Sequence, residues 1–331
     1  DLPESAYLSD ETCAELKRQR HIAVKVRKEL TDACPVSTGT SVEEMAIFRR
    51  CQEQAYYKMD AYKDLRKKYP VRMTLAEIGG VYTEAFTPAQ GVAEKNKKRV
   101  LINVHGGGFQ TGSRTASHLE SIPIASIGKI KVISIDYRMA PEYTFPAASE
   151  DVAAVYRELL KEYKAENIGL YGCSAGGVLT AQSVAWFQNE GLSLPGAVGM
   201  FCAAASQAIT ADVRAWVRSD GAYITGALAG QNYEKLRNPY FKGAINSSLS
   251  APANYDQVMA KFPPSLLISS TRDFLLSDVI ATHAQLTRLG VEADLHIWEG
   301  LEHGFIYNPR YVESREAFNV IVKFFDKHLG Q

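Results

Sequence analysis

Nowhere in the 331-residue chain does an apolar run approach the roughly twenty residues a membrane helix needs, and no charged, then apolar, then small-residue leader is visible at its start. A membrane-spanning role is not expected. Neither sign of charge is in excess: 37 Lys plus Arg stand against 37 Asp plus Glu, so nothing in the total draws the chain to nucleic acid or anionic lipid. The one basic run, Lys95 to Arg99, reads as a solvated loop. Cysteine is scarce. The five (Cys13, Cys34, Cys51, Cys173, Cys202) lack CxxC spacing, and their odd count disfavours a complete disulfide framework, so a reduced, cytoplasmic setting is the expectation. With no H-E-x-x-H or clustered Cys/His spacing, a catalytic metal is not expected, and without G-x-G-x-x-G or a Walker motif neither is a nucleotide. Internal repeats and low-complexity tracts are also missing.

What is present is ordinary globular material, with 46% hydrophobic and 22% charged residues. Residues 4–69 read as helical and charge-rich, broken only around Pro35 to Gly39. From Val71 the texture changes. Val71 to Ile78 and Val81 to Phe86 form a hairpin pattern across Gly79-Gly80. Short apolar strand candidates follow at 100–104, 131–135, 167–171, 197–201, 265–269 and 293–298, most separated by helical patterns such as 148–163, 175–189, 279–289 and 314–328. Such alternation indicates an α/β fold: a mostly parallel central sheet flanked by helices, with active sites at the carboxyl ends of strands. The division expected is an N-terminal helical cap segment, 1–70, and an α/β body, 71–331. About sixty residues separate the strand near Phe201 from the one near Ser265, too many for a simple connection, so 206–255 is read as a cap insertion. Its aromatics, Trp216, Tyr223, Tyr233, Tyr240, Phe241 and Tyr255, either give the cap an aromatic underside or fill the insert's own core.

Gly172-Cys-Ser-Ala-Gly176 joins a strand to a helix, the context in which G-x-S-x-G marks a nucleophile elbow. The tight turn strains its central residue and requires very small neighbours two positions away. Gly172 and Gly176 meet that need around Ser174; the neighbours of Cys173 at that spacing are Tyr171 and Ala175, so Ser174 is the nucleophile expected. The following helix aims its dipole and unbonded N–H groups at the serine. His105-Gly-Gly-Gly-Phe109 ends another strand about seventy residues earlier, where main-chain N–H groups can approach a ligand closely. The N–H groups of Gly107, Gly108 and Ala175 are the expected oxyanion hole.

Serine is a weak nucleophile without a base, usually histidine oriented by a carboxylate. Of seven histidines, His303 lies in a loop just past the last strand and before the final helix, while His296 falls in a strand, His21, His283 and His328 fall in helical patterns, and His105 is expected to orient the glycine loop. Asp273, in the loop after strand 265–269, is the expected acid; its rival Asp278 sits where it would cap the next helix. The order Ser174, Asp273, His303 is that of α/β-hydrolases. Phe109 and Phe305 flank these motifs and are expected to line the substrate site.

With these motifs in hand, the chain resembles the bacterial-type hormone-sensitive-lipase family of α/β-hydrolase esterases. His105-Gly-Gly-Gly-Phe109 matches its oxyanion signature, and Tyr137-Arg-Met-Ala-Pro-Glu142 with Phe145-Pro-Ala-Ala148 and Glu150-Asp151 its second hallmark. Asp273-Phe-Leu and His303-Gly-Phe305 match the acid and histidine motifs. The family commonly has Asp or Thr where this chain has Cys173, so the usual carboxylate contacts there are absent. The resemblance implies a serine carboxylesterase with a lid, a small-molecule ester substrate of short to medium acyl chain, no cofactor, and often a homodimer. Two alternatives stand beside it: a non-catalytic small-molecule receptor on the same scaffold, and an amidase or acyltransferase using the same triad.

Overall fold

The structure, a computed structural model, describes residues 4–19, 34, 39–206, 238–242 and 247–330. Eight strands, β1 Val71–Ile78, β2 Val81–Pro88, β3 Val100–Val104, β4 Lys131–Ile135, β5 Ile168–Cys173, β6 Ala197–Phe201, β7 Ser265–Arg272 and β8 Ala293–Glu302, form one sheet in the order β1-β2-β4-β3-β5-β6-β7-β8. β2 alone runs against its neighbours, β1 and β4; the six strands from β4 to β8 are parallel. The expected α/β architecture is therefore present.

The pleat assigns alternate residues of each strand to opposite helix layers. On β3, Ile102 and Val104 join a core with Val152 and Tyr156 of α5 (Ala147–Leu159), Leu179 and Phe187 of α6 (Ala175–Asn189), Met259 of the short α7 (Asp256–Met259), and Val279 and Leu286 of α8 (Leu276–Arg288). Leu101 faces the other way, into a core with Ile122 and Ile124 of α4 (Ala116–Gly128) and Phe318 and Phe325 of α9 (Val312–His328). Strands buried on both faces read as continuous apolar runs, which is why their positions show in the sequence. By contrast α4 escaped that reading: it buries Ser117, His118, Glu120 and Ser121 and carries Pro123, so its apolar period is broken by polar groups that face inward.

The N-terminal segment is helical over 10–19 (α1), α2 (Val42–Lys58) and α3 (Asp60–Lys68). The chain breaks at Met59 (ψ 140°), a break not foreseen, and residues 20–33 and 35–38 lie outside the described residues. Arg49 of α2 reaches the body of the protein, donating to the Gln110 carbonyl at 2.6 Å and pairing with Glu142 at 2.6 Å. Cys34 and Cys51 form a disulfide, which corrects the expectation of reduced cysteines; Cys13, Cys173 and Cys202 are free thiols. In the insert, 207–237 and 243–246 lie outside the described residues, and with them Trp216, Tyr223 and Tyr233. Among the described residues no helix is long and apolar enough to cross a membrane.

The β1–β2 hairpin turns on Gly79 (φ 61°) and Gly80 (φ 80°), both positive as a type I′ turn demands. A Cβ at Gly80 would meet nothing, whereas one at Gly79 would lie 2.7 Å from the Ala154 carbonyl oxygen. Gly80→Ala should therefore cost only the left-handed backbone penalty, about 1–2 kcal/mol. Gly79→Ala should cost distinctly more, because the hairpin must also lift off α5. Urea midpoints of the two variants check the order, and equal midpoints would show that the α5 contact is dispensable.

Candidate active site

The parallel strands end together, and the loops leaving β3, β5, β7 and β8 meet there. Ser174 follows β5 with φ 56° and ψ −123°, a strained conformation for a residue with a side chain, and its N–H donates to the Phe201 carbonyl at 2.8 Å. Glycine is required on either side of it because β3 crosses the turn. A Cβ would stand 2.1 Å from the Val104 carbonyl oxygen at Gly172 and 1.8 Å from it at Gly176. Strain at Ser174 is thus imposed by its neighbours, and it leaves the hydroxyl half-buried at the head of α6.

His303 Nε2 lies 2.8 Å from Ser174 Oγ, and His303 Nδ1 donates to Asp273 Oδ1 at 2.7 Å. The Phe274 ring packs against the imidazole, 4.4 Å between centroids. Asp273 is fully buried and also accepts from Ser269 Oγ at 2.8 Å and Leu275 N–H at 2.9 Å. Burial alone would raise its carboxyl; the adjacent His303 and these donors outweigh it and hold the group below the usual carboxylate range. Asp278 does not cap its helix. It is the third residue of α8, whose N-cap is Leu275, and its Oδ1 accepts from Ser206 Oγ at 3.2 Å.

On the other side of the serine, Gly106 packs so tightly that a Cβ there would lie 2.7 Å from the Cys173 carbonyl oxygen and 3.3 Å from Ser174 Cβ. Gly107 (φ 120°) and Gly108 (φ 64°) turn the chain away, Gly107 with the Thr111 carbonyl where its side chain would be. Among the described residues, the N–H groups of Gly107, Gly108 and Ala175 donate to no other group. His105 lies beneath, stacked 4.3 Å from Tyr137, its Nδ1–H donating to the Gly106 carbonyl at 2.8 Å. Burial lowers its pKa to about 4, so it is a neutral prop. Tyr137 hydroxyl in turn donates to the His105 carbonyl at 2.6 Å, and Arg138 pairs with Asp151 at 2.8 Å.

Phe109, also expected to line the substrate site, is 2% exposed and buried behind the glycine loop, stacked on Tyr240 at 4.5 Å and edge-on to Phe241 at 5.1 Å, so it backs the loop from the core side. Asn238 Nδ2 donates to the Gly108 carbonyl at 2.7 Å, so the insert touches the loop directly. Phe305 corrects its expectation: it is 1% exposed and packs against Trp298 in the α4–α9 core, because the short helical turn after His303 points its side chain inward. Among the described residues one cluster has metal-ligand composition, Cys202, Asp273 and His303, with donor atoms within 4.8 Å of one another. Two of its members are already engaged with each other.

Sequence reasoning missed Glu120 and Tyr307. Glu120, on α4, accepts from Gly106 N–H, Asn103 Nδ2, Cys173 N–H and the Tyr307 hydroxyl. The signal available was a lone carboxylate in the helix Ala116–Gly128, which holds no Asp, Lys or Arg.

Comparison with known proteins agrees with the fold. The profile of a family described as having the α/β hydrolase fold matches residues 101–307. An acetyl-hydrolase of Streptomyces hygroscopicus is 26% identical over 257 residues, 76% of this chain and 84% of that protein. The solved structure of the esterase E25 is 30% identical with a TM-score of 0.78, covering 99% of this chain and 97% of that one. A further esterase, from the bacterial hormone-sensitive lipase family, is 26% identical with a TM-score of 0.73, covering 92% and 97%. The extent of these matches shows that the chain belongs to the α/β-hydrolase fold family, among the esterases of the bacterial hormone-sensitive-lipase type.

Proposed function

We propose that the protein is a serine carboxylesterase acting on short- to medium-chain acyl esters through an acyl-enzyme. The observation that carries this is the unbroken chain of hydrogen bonds from Ser174 Oγ to His303 at 2.8 Å and from His303 to Asp273 at 2.7 Å. Ser174 Oγ attacks the ester carbonyl carbon as its proton passes to His303 Nε2; the ionised Asp273 holds the imidazole with Nδ1–H inward and stabilises the imidazolium. The carbonyl oxygen becomes an oxyanion and is received by the N–H groups of Gly107, Gly108 and Ala175, each such donor contributing on the order of 3 kcal/mol to lowering the barrier. His303 returns the proton to the alkoxide, the alcohol leaves, and water activated by the same imidazole releases the acid.

A receptor role would place no demand on the Asp273–His303–Ser174 geometry, which catalysis does. For the acyl group, the aromatic block of Phe109, Tyr240 and Phe241 behind the glycine loop supports a pocket of limited depth, and the acetyl-hydrolase among the relatives points the same way.

Three measurements test this reading. An aryl acetate should give a burst of phenol equal to the enzyme present, and Ser174→Ala should abolish it and lower kcat by roughly 10⁶-fold; hydrolysis at an unchanged rate would remove Ser174 from the reaction. Asp273→Asn should lower kcat by roughly 10⁴-fold through misorientation of His303, while Asp278→Asn loses less than about tenfold. The reverse order would identify the wrong carboxylate. Across a series of aryl esters, kcat/KM should peak below about ten acyl carbons, and a rising trend beyond that would contradict the limited pocket.

A further inference from the structure

Glu120 is buried, yet four donors from three parts of the chain converge on it. Oε1 accepts from Gly106 N–H at 2.8 Å and the Tyr307 hydroxyl at 2.9 Å; Oε2 accepts from Asn103 Nδ2 at 2.8 Å and Cys173 N–H at 3.2 Å. Three of the four partners belong to the loops that make the site. Gly106 opens the glycine loop, Cys173 precedes the nucleophile, and Tyr307 lies in the turn that follows His303. Asn103 is held to its task by Ser134 Oγ, which donates to its Oδ1 at 2.8 Å, so its amide nitrogen faces the carboxylate. The Glu120 carbonyl also accepts from the Tyr171 hydroxyl at 3.1 Å, fixing the helix against β5.

We propose that Glu120, as a carboxylate, is a positioning residue that keeps the glycine loop, the nucleophile elbow and the histidine loop in register for catalysis. This rests on the Ser174 esterase reading. It places a carboxylate behind the elbow in a chain whose residue before the nucleophile is Cys173. The charge is needed because all four partners approach as donors. Of these, only the Tyr307 hydroxyl can turn and accept; two backbone N–H groups and an amide NH₂ cannot. A proton on Glu120 therefore forces Tyr307 to reverse and leaves Gly106 and Cys173 with a weaker acceptor.

Burial pushes the Glu120 carboxyl up to about 7, against the pull of Gly106, Asn103, Tyr307 and Cys173. The other titratable groups facing this node stay uncharged around that pH: Tyr137, Tyr171 and Tyr307 are raised well above the usual phenol value, Cys173 is raised, and His105 is lowered to about 4. On the same helix His118 faces Glu84 of β2 instead. A folded-state pKa above the unfolded one means that the protonated form is the one folding favours. That stabilising contribution is lost as pH rises through about 7, so the ionised form is kept in spite of a folding cost.

The test uses the full-length enzyme and an aryl acetate. Glu120→Gln places an NH₂ against two donors; it should lower kcat roughly 10- to 100-fold with KM within about threefold, as expected when groups are misplaced but the pocket survives. Tyr307→Phe removes one donor from the carboxylate and should raise the acidic midpoint of kcat/KM by about one pH unit. The same substitution added to Glu120→Gln should leave the midpoint where Glu120→Gln alone puts it. Wild-type kcat in Glu120→Gln, an unmoved midpoint in Tyr307→Phe, or an equal shift in both backgrounds would each overturn the proposal. Should Glu120→Gln not fold, the midpoint of Tyr307→Phe decides alone. Ser174→Ala measured alongside separates the two readings: activity there removes the esterase mechanism, whereas an inactive Ser174→Ala beside an unimpaired Glu120→Gln removes only the role of Glu120.

Discussion

The carbonyl of Val104, pressed against the turn after β5, is the contact on which the site depends. A Cβ at Gly172 or Gly176 would lie about 2 Å from it, so the elbow closes onto β3 only because both positions are glycine. That closeness does two things at once. It forces Ser174 into its strained backbone at the head of α6, and it brings the glycine loop, which follows β3, alongside that serine. Ser174, the proposed nucleophile, and its proposed oxyanion donors are thus placed by one interstrand contact.

Polar groups buried around this contact make the arrangement rigid. Tyr137 holds the His105 carbonyl, His105 holds the Gly106 carbonyl, and Glu120 holds the Gly106 N–H, so both ends of one peptide unit are fixed from below. Each of these groups is cut off from water, where an unmet hydrogen bond costs about 1–3 kcal/mol, so departures from the geometry are penalised. Asp273 works by the same rule on the far side: three donors keep it ionised in a fully buried position, which gives the His303 ring a fixed orientation. The motif around Tyr137 to Asp151 is explained by this support. It props the glycine loop through Tyr137 and anchors α5 through the Arg138–Asp151 pair, while Glu142 receives Arg49 from the N-terminal helices.

Much of the fold was legible from residues alone. The strands at 100–104, 131–135 and 197–201 and the helix at 175–189 stand where their apolar runs place them, because a sheet covered on both faces favours apolar side chains in its centre. The hairpin at Gly79-Gly80 and the positions of Ser174, Asp273 and His303 at strand ends were readable for a similar reason: turn chemistry and motif spacing are local. Legibility failed where the reason is not local. Asp278 looked like a cap from its place before a helix, yet the helix begins earlier. Phe305 looked like a lining residue from its place beside His303, yet the turn directs it into the core. The Cys34–Cys51 bond was hidden because pairing depends on distance in space.

The sequence by itself determined the class of sheet, the elbow and the identity of the groups that could act, since these rest on periodicities and on glycines whose need is felt within a few residues. Only the tertiary structure decided which carboxylate meets His303, what keeps the glycine loop in place, and that a glutamate in the middle of a helix is the meeting point of three loops. Cys173 and Tyr307 lie 53 and 187 residues from Glu120 along the chain. Their convergence is a property of packing, in which a buried charge must find its donors wherever the fold supplies them.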